Sequence, residues 1–262
     1  MEQRLTYSSY LRLPELLELQ SPQSREAGQE EHDEMLFIVI HQVYELWFKQ
    51  LLHEIDRVIE RLDTDDVVRA GRGVRRMLTI LKVMVSQMDV LETMSPLEFL
   101  TFRERLESSS GFQSTQFREF EFVLGHKRPE IMIGFDGDES MRQRLRARLE
   151  SPSLWSAVCG ILRRRGVDLG PAVDPLEPTA ANPAVQRALV DIYRSDAAVT
   201  ELCERLVDLD EGVQEWRYRH VKMVERTIGN KVGTGGSSGV GYLSSTLGRP
   251  LFPDLWAIRA QF

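Results

Sequence analysis

The sequence has few cysteines and none of the patterns that would make them structural. Its 262 residues include only two, Cys159 and Cys203, and they do not stand in CxxC spacing. This usage excludes a disulfide scaffold and a thiolate zinc site, and it is typical of a reducing cytoplasm. We predict that both thiols are small core residues.

Long hydrophobic runs and an excess of positive charge are also lacking. No stretch of about 18 uncharged apolar residues occurs, and residues 1–12 lack the apolar centre of a secretory signal. Lys and Arg total 33 against 40 Asp and Glu, a net charge of −7. The basic stretches Arg142–Arg148 and Arg163–Arg165 carry no interleaved aromatic residues, so we interpret them as solvated helix faces. The sequence therefore predicts a cytoplasmic protein with neither a membrane nor a nucleic-acid partner.

Period-2 alternation is almost absent, and apolar residues recur instead at helical spacing. We predict an all-α fold, bundle-like, with long antiparallel helices and a single domain over residues 1–262. Ser95 and Glu98 form a capping-box pattern, and Asp63–Asp65 offers a turn and an N-cap. The predicted helices are Glu34–Leu62, a second after Asp65, one from Pro96, Ser114–Leu124, one from Ser151–Pro152 to Gly166, Ala184–Tyr193, Ala197–Leu209 and Val213–Ile228. Residues 167–182 read as a loop.

The five histidines do not form an HExxH pair, which makes a classical zinc hydrolase improbable. His41 lies in an apolar helical run, and His220 has Trp216 and Val224 one turn away on either side. Each could be a core histidine satisfied by a hydrogen bond. Alternatively, His220 could be the single axial ligand of a metal that a macrocycle already holds. Spacing alone leaves both interpretations open.

Two further features have both a functional and an ordinary interpretation. Arg103, one turn after Phe99, could bind a substrate carboxylate or pair with a surface ion. The stretch Gly233–Gly241, GTGGSSGVG, could fold over an anionic or zwitterionic ligand or be a solvated loop. It lacks the GK[ST] ending of a Walker A loop and follows a helix, so neither nucleotide fingerprint applies.

Taken in order along the chain, six segments resemble the haem-dependent tryptophan 2,3-dioxygenases of the bacterial type. They are LTYSSYLRL (5–13), HDEMLFIVIHQVYELWFKQ (32–50), VLETMSPLEFLTFR (90–103), SSGFQSTQFR (109–118), WRYRH (216–220) and GTGGSSGVGYL (233–243). The resemblance implies an all-helical cytoplasmic homotetramer with one b-type haem per subunit, bound between helices and ferrous in the active form. It implies cleavage of the indole C2–C3 bond of L-tryptophan with O₂ to N-formyl-L-kynurenine, the first step of the kynurenine pathway.

The same resemblance assigns roles to individual residues. His220 matches the proximal iron ligand, and His41 matches the distal histidine beside the indole N–H, a catalytic position. Further residues match positions that contact substrate or haem: Phe37 on the substrate ring, Arg103 at the carboxylate with Phe99 beside it, Thr234 at the amino-acid end, Ser110 near both haem and substrate, and Gly111 at the haem. Tyr7, Tyr10 and Leu11 match part of an N-terminal segment, residues 1–20, that reaches a neighbouring subunit's pocket.

Departures from the family pattern are modest. Phe99 stands where some bacterial members have Tyr, Ser108 replaces a common Pro, and Ile40 is more apolar than the usual residue. Residues 126–182 carry little of the resemblance, so their role stays open. Two other functions remain in view: a related haem-dependent aromatic monooxygenase, against which the intact glycine-rich segment argues, and a non-enzymatic haem sensor. Whether His41 moves a proton or only orients substrate also stays open.

Overall fold

A computed structural model describes residues 4–135, 137–171, 174, 176–229, 231 and 239–262. These residues form helices and connecting turns with no β-strand among them, which confirms the all-α prediction. In chain order the α-helices are α1 Tyr7–Leu11, α2 Leu13–Leu16, α3 Gln23–Glu26, α4 His32–Asp63, α5 Val67–Leu91, α6 Pro96–Arg103, α7 Thr115–Val123, α8 Glu139–Glu150, α9 Leu154–Arg164, α10 Pro183–Ser195, α11 Ala197–Ile228, α12 Val240–Ser244 and α13 Pro253–Ala257.

Three long helices, α4, α5 and α11, form the scaffold. The 32 residues of α4 and of α11 each span about 48 Å at about 1.5 Å per residue. The Tyr44 hydroxyl donates to Met84 O, and the Arg76 guanidinium contacts the Glu54 carboxylate, so α4 and α5 run antiparallel as predicted. Each helix buries one apolar stripe against the others, and this stripe is the largest part of the core.

The break predicted between Ala197–Leu209 and Val213–Ile228 is wrong, because α11 is continuous. Gly212 stays inside the helix, where a Cβ would meet Leu78 Cδ1 at 2.8 Å. The residue therefore allows α11 to approach α5 closely rather than ending the helix. The cost of a helix-interior glycine, about 1 kcal/mol relative to alanine, is offset by this packing.

Two predicted helix starts are shifted by one or two residues. Asp66, not a residue of Asp63–Asp65, caps α5 by accepting from Arg69 N. Ser153, not Ser151, caps α9, so Pro152 precedes the helix and does not open it. In both places a neighbouring side chain of the same chemistry takes the N-cap position, and only backbone geometry decides between them.

The connection from α6 to α7 lies where the sequence predicts it. The capping box at α6 forms, since Ser95 N donates to Glu98 Oε2 at 2.6 Å and Glu98 N donates to Ser95 Oγ at 3.3 Å. A 3₁₀ turn over Gly111–Gln113 follows, and Ser114 caps α7. This connection places residues 110–114 beside α4.

Residues 126–182 include a 3₁₀ segment, Pro129–Phe135, and helices α8 and α9. α9 buries seven of its eleven residues, among them Trp155 and Cys159, against the far half of α4. Cys203 is buried as well, so both cysteines are core residues as predicted. The arginines of α8 and α9 are less solvated than expected, because Arg148 pairs with Asp56 and Arg164 donates to Leu62 O.

The N-terminal segment divides into an anchored part and a projecting part. Gln23 N and Ser24 N donate to the buried Glu34 carboxylate, both at 2.9 Å, which ties α3 to the first turn of α4. α1 and α2, in contrast, bury none of their residues. Across the described part of the chain, no helix is long and apolar enough to span a membrane.

Candidate active site

A cavity of about 280 Å³ opens between the first half of α4, the second half of α11, and the α6–α7 connection. Most of its surface is apolar, with a few polar side chains set into it. This combination is typical of small-molecule and cofactor sites. The cavity contains His41, His220, Phe37, Phe99, Arg103, Ser110 and Gly111, seven of the residues singled out from the sequence.

Phe37 and Phe99 line one wall of the cavity, and the fully buried Phe102 packs against both rings. The ring centroid of Phe37 lies 5.7 Å from that of Phe99 and 5.6 Å from that of Phe102. Phe99 and Phe102 meet edge to face at 5.4 Å. Such contacts fix the ring orientations, so the wall offers a rigid aromatic surface on which another flat ring can pack.

His41 stands beside this wall with a defined tautomer. Its ring centroid is 4.1 Å from that of Phe37, and its Nδ1 lies 2.7 Å from Phe37 O. A carbonyl oxygen only accepts, so Nδ1 carries the proton and Nε2 keeps a lone pair. The cavity location desolvates the ring and lowers the His41 pKa, which favours the neutral form. His41 therefore offers a hydrogen-bond acceptor.

His220 faces the same cavity from α11. Its ring stacks on Trp216 at 5.5 Å with an interplanar angle of 9°. Phe117 lies 5.2 Å and Phe48 5.9 Å from Trp216, so the indole is held in place. Desolvation, aided by the charges of His41 and Arg118, lowers the His220 pKa to about 4. At neutral pH the imidazole is uncharged and able to ligate a metal.

The surroundings of His220 fit a metal held by an anionic macrocycle. Among the described residues no group of three or more His, Cys, Asp or Glu could hold a metal ion. A single neutral imidazole beside an apolar cavity could ligate the metal of such a group. Trp216 Nε1 is buried with no hydrogen-bond partner in the described chain, so it is a donor in need of an acceptor.

The polar residues predicted to meet substrate or cofactor lie along the α6–α7 connection. Arg103 ends α6, and Ser110 and Gly111 begin the 3₁₀ turn. Phe112 N donates to Ser110 Oγ at 3.3 Å, which defines the turn at the cavity edge. Thr234 lies outside the described residues.

Tyr7, Tyr10 and Leu11 do not line the cavity of their own chain. They lie on α1 with exposed fractions of 76%, 70% and 41%. All three side chains are therefore open to solvent in the single chain. Their predicted contact with a neighbouring subunit stays a prediction.

The sequence reasoning missed a buried cluster formed by Glu121, Arg118, Arg128 and Arg217, which we call the Glu121 cluster. Arg118 and Arg217 lie within SSGFQSTQFR and WRYRH, two of the segments that resemble the family. The resemblance assigned no role to either arginine. Glu121 stands three residues after Arg118, a helical pair spacing that also occurs on ordinary surfaces. Burial of Glu121, Arg118 and Arg217 distinguishes this cluster from a surface ion pair, and sequence spacing does not reveal burial.

Comparison with known proteins gives a consistent result. A family model described as tryptophan 2,3-dioxygenase matches residues 1–149 and 178–262. A protein of that name from Herpetosiphon aurantiacus is 57% identical over 264 residues, covering 100% of both chains. Proteins of the same name from Anaeromyxobacter sp. and Caulobacter vibrioides are 52% and 42% identical, covering 97% and 100% of this chain and 95% and 100% of their own.

Proposed function

This chain belongs to the tryptophan 2,3-dioxygenase family, and we propose that it cleaves the indole C2–C3 bond of L-tryptophan with O₂ to give N-formyl-L-kynurenine. The observation that carries the proposal is the placement of two histidines, His41 and His220, at one apolar cavity. One supplies a metal ligand, and the other supplies an acceptor beside an aromatic wall.

Haem b is the cofactor that this cavity suits. His220 would hold its iron, with Ser110 and Gly111 at its edge and the unpartnered Trp216 Nε1 available to an acceptor. When bound, the haem supplies the redox chemistry that O₂ requires. The protein's own contribution is the apolar wall, the fixed hydrogen-bonding groups and the exclusion of bulk water.

L-Tryptophan fits the arrangement with its indole on the aromatic wall. Phe37 and Phe99 would pack on or beside the ring, and Arg103 would bind the carboxylate through its guanidinium. We assign Thr234 to the amino-acid end of the substrate on the family resemblance. Indoles that lack the zwitterion would leave these polar groups unpaired and bind more weakly.

His41 acts first by orienting the substrate. Its protonated Nδ1 is committed to Phe37 O, so Nε2 can accept a hydrogen bond from the indole N–H. An indole N–H is a very weak acid, and the lowered pKa makes the imidazole a weak base. Orientation is therefore the primary role and proton transfer a secondary one.

The exposed N-terminal segment supports a homotetrameric assembly. Residues 1–20, with Tyr7, Tyr10 and Leu11, would contact the pocket of a neighbouring subunit and so make assembly part of the site. The buried, unpaired thiols of Cys159 and Cys203 suit a cytoplasmic location. A monomeric mass in light scattering would contradict this proposal.

The reaction is tested by mass spectrometry of the product formed by reduced, haem-loaded protein with L-tryptophan and isotopically labelled O₂. We expect N-formylkynurenine that carries two labelled oxygen atoms. A singly labelled product would instead indicate a monooxygenase, and bound haem without turnover would indicate a sensor. Either result would overturn the proposal.

A further inference from the structure

Glu121 is a buried carboxylate that contacts three arginines. Its side chain is 3% exposed on α7. Arg118 Nη1 donates to Oε2 at 2.6 Å, Arg128 Nη2 donates to Oε2 at 2.7 Å, and Arg217 Nη2 donates to Oε1 at 3.0 Å. One carboxylate thus joins groups from α7, from the segment after it and from α11.

Each arginine of the cluster also holds a different part of the cavity wall. Arg118 Nε donates to Phe112 O at 3.3 Å, and its guanidinium lies 4.4 Å from the centre of the Phe112 ring. This double contact fixes the 3₁₀ turn that begins with Ser110.

The other two arginines reach α12 and the residues after it. Arg128 Nη1 donates to the Tyr242 hydroxyl at 3.2 Å, and Arg217 Nη1 donates to Thr246 O at 3.3 Å. The Tyr242 ring also meets Phe112 edge to face at 5.9 Å. Arg217 stands three residues before His220 on α11. The contact between Glu121 and α11 therefore lies about one helical turn from the predicted iron ligand.

Charge explains why the arrangement depends on Glu121. Burial by itself raises the pKa of this carboxyl, but the charges of Arg118, Arg128 and Arg217 outweigh burial and hold the pKa below its usual value. The group is therefore ionised at neutral pH. Without it, the buried guanidinium groups of Arg118 and Arg217 and the partly buried one of Arg128 repel one another, and removing one partner of a buried ion pair is strongly destabilising.

We propose that Glu121 is a positioning residue for the reaction: it fixes the Ser110–Phe112 turn and α12 at the correct distance from the helix that carries His220. The proposal rests on the proposed function, since its effect on catalysis presupposes tryptophan turnover. Glu121 acts through its arginines, which place Ser110 and Tyr242 at the cavity.

The chain provides a matched control for a substitution of Glu121. Glu119 lies two residues earlier on α7 and is equally buried, and its carboxylate accepts from Arg144 Nη2 at 2.7 Å. Its partners are on α8, and it does not line the cavity. Glu119→Gln therefore removes a buried charge from the same helix without touching the site.

The experiment compares Glu121→Gln with Glu119→Gln in the haem-loaded protein. Both variants should lower the melting temperature. Only Glu121→Gln should raise KM for L-tryptophan. We expect a rise of about tenfold, which is typical of losing a residue that orients the binding groups without touching the ligand itself. It alone should also speed amide hydrogen exchange in residues 240–247. Equal KM values and equal exchange in the two variants would overturn the proposal.

Tyr242→Phe tests the same idea if Glu121→Gln does not fold. This change removes the hydroxyl that accepts from Arg128 and keeps the ring on Phe112. We expect KM to rise about threefold and α12 exchange to quicken, as for loss of one hydrogen bond. Unchanged exchange and KM would refute the positioning role. If wild-type protein binds haem but does not turn over tryptophan, the proposed function fails, while the exchange data still decide the role of Glu121.

Discussion

The helix pair α4 and α11 is tightly packed at one end and lines a cavity at the other. The second half of α4 and the first half of α11, together with α9, form a closed end in which Leu51, Ile55, Leu62, Leu206 and Leu209 have no exposed surface. The first half of α4 and the second half of α11 form the cavity end, where aromatic and ionisable side chains face an internal space. Because α4 and α11 are each continuous, their close packing at the closed end also holds in place the halves of these helices that line the cavity.

The ends also differ in how they treat charge. The closed end keeps most of its ion pairs at the surface, as with Arg165 and Asp196. The cavity end buries Glu121 with Arg118 and Arg217, at a desolvation cost that isolated stability would not favour. We conclude that stability comes mainly from the closed end and chemistry from the cavity end, and substitutions can test this division.

The largest effect is expected from His220→Ala. Loss of the imidazole removes the predicted axial ligand, so stable haem binding and turnover should be abolished. The protein should stay folded, because the ring borders a cavity and the closed end is untouched. Absorbance of bound haem and circular dichroism measure the two properties. Full haem occupancy in this variant would assign the iron to another residue.

Leu206→Ala should show the opposite pattern. The side chain is fully buried in the closed end, so its truncation should lower the free energy of unfolding by about 2–5 kcal/mol. KM and kcat should change little below the melting temperature. Leu206→Met is the conservative control and should cost less than about 1.5 kcal/mol. A large change in KM for Leu206→Ala without loss of stability would show that packing at the closed end controls the cavity end, and would contradict the division proposed here.

Acid should destabilise the folded protein through His126, whose Nδ1 lies 3.2 Å from Arg217 Nη2. Burial and the charge of Arg217 lower the pKa of His126 from 6.5 to about 4. Between these values the unfolded chain binds a proton that the folded protein does not, so stability falls as pH decreases, by up to about 1.4 kcal/mol per pH unit. Haem-free His126→Gln should lose this contribution and show a shallower pH dependence in denaturant titrations. If the free energy of unfolding of the variant changed with pH as steeply as that of the wild type, His126 would not contribute to the acid sensitivity.

Arg103→Ala should give the smallest of these effects and the most local one. If its guanidinium binds the substrate carboxylate, L-tryptophan affinity should fall by about 1.5–3 kcal/mol, while haem binding is kept. Arg103→Lys should recover part of the loss, since it retains charge but not the bidentate geometry. Substrate titration of the haem-loaded protein measures this affinity. Loss of haem in Arg103→Ala would show a structural role instead.

Local patterns predicted much of this molecule. Helical periodicity placed both ends of α4 and α7 within two residues, and the Ser95–Glu98 capping box is present. The prediction failed at Gly212 because a glycine that ends a helix and one that permits close packing look alike in sequence. The positions of His41 and His220 at one cavity came from family resemblance, since spacing alone left both open.

Long-range contacts account for what could not be predicted. Glu121 and Arg217 are 96 residues apart in sequence, and only the folded chain brings them together. The same holds for Glu45, whose carboxylate accepts from Gln116 Nε2 at 2.8 Å across 71 residues. Neither carboxylate belongs to a spacing pattern that distinguishes it from the many surface acids of this chain.

The location of α9 has a consequence for protein engineering. The family model matches residues 1–149 and 178–262, and the unmatched segment between them contains α9. Its apolar face covers the closed end, remote from His41 and His220. We therefore expect a chimera that exchanges residues 150–177 for those of a relative to change the melting temperature and to leave the lining of the cavity as it is, so this segment is a place to adapt the protein to a new working temperature.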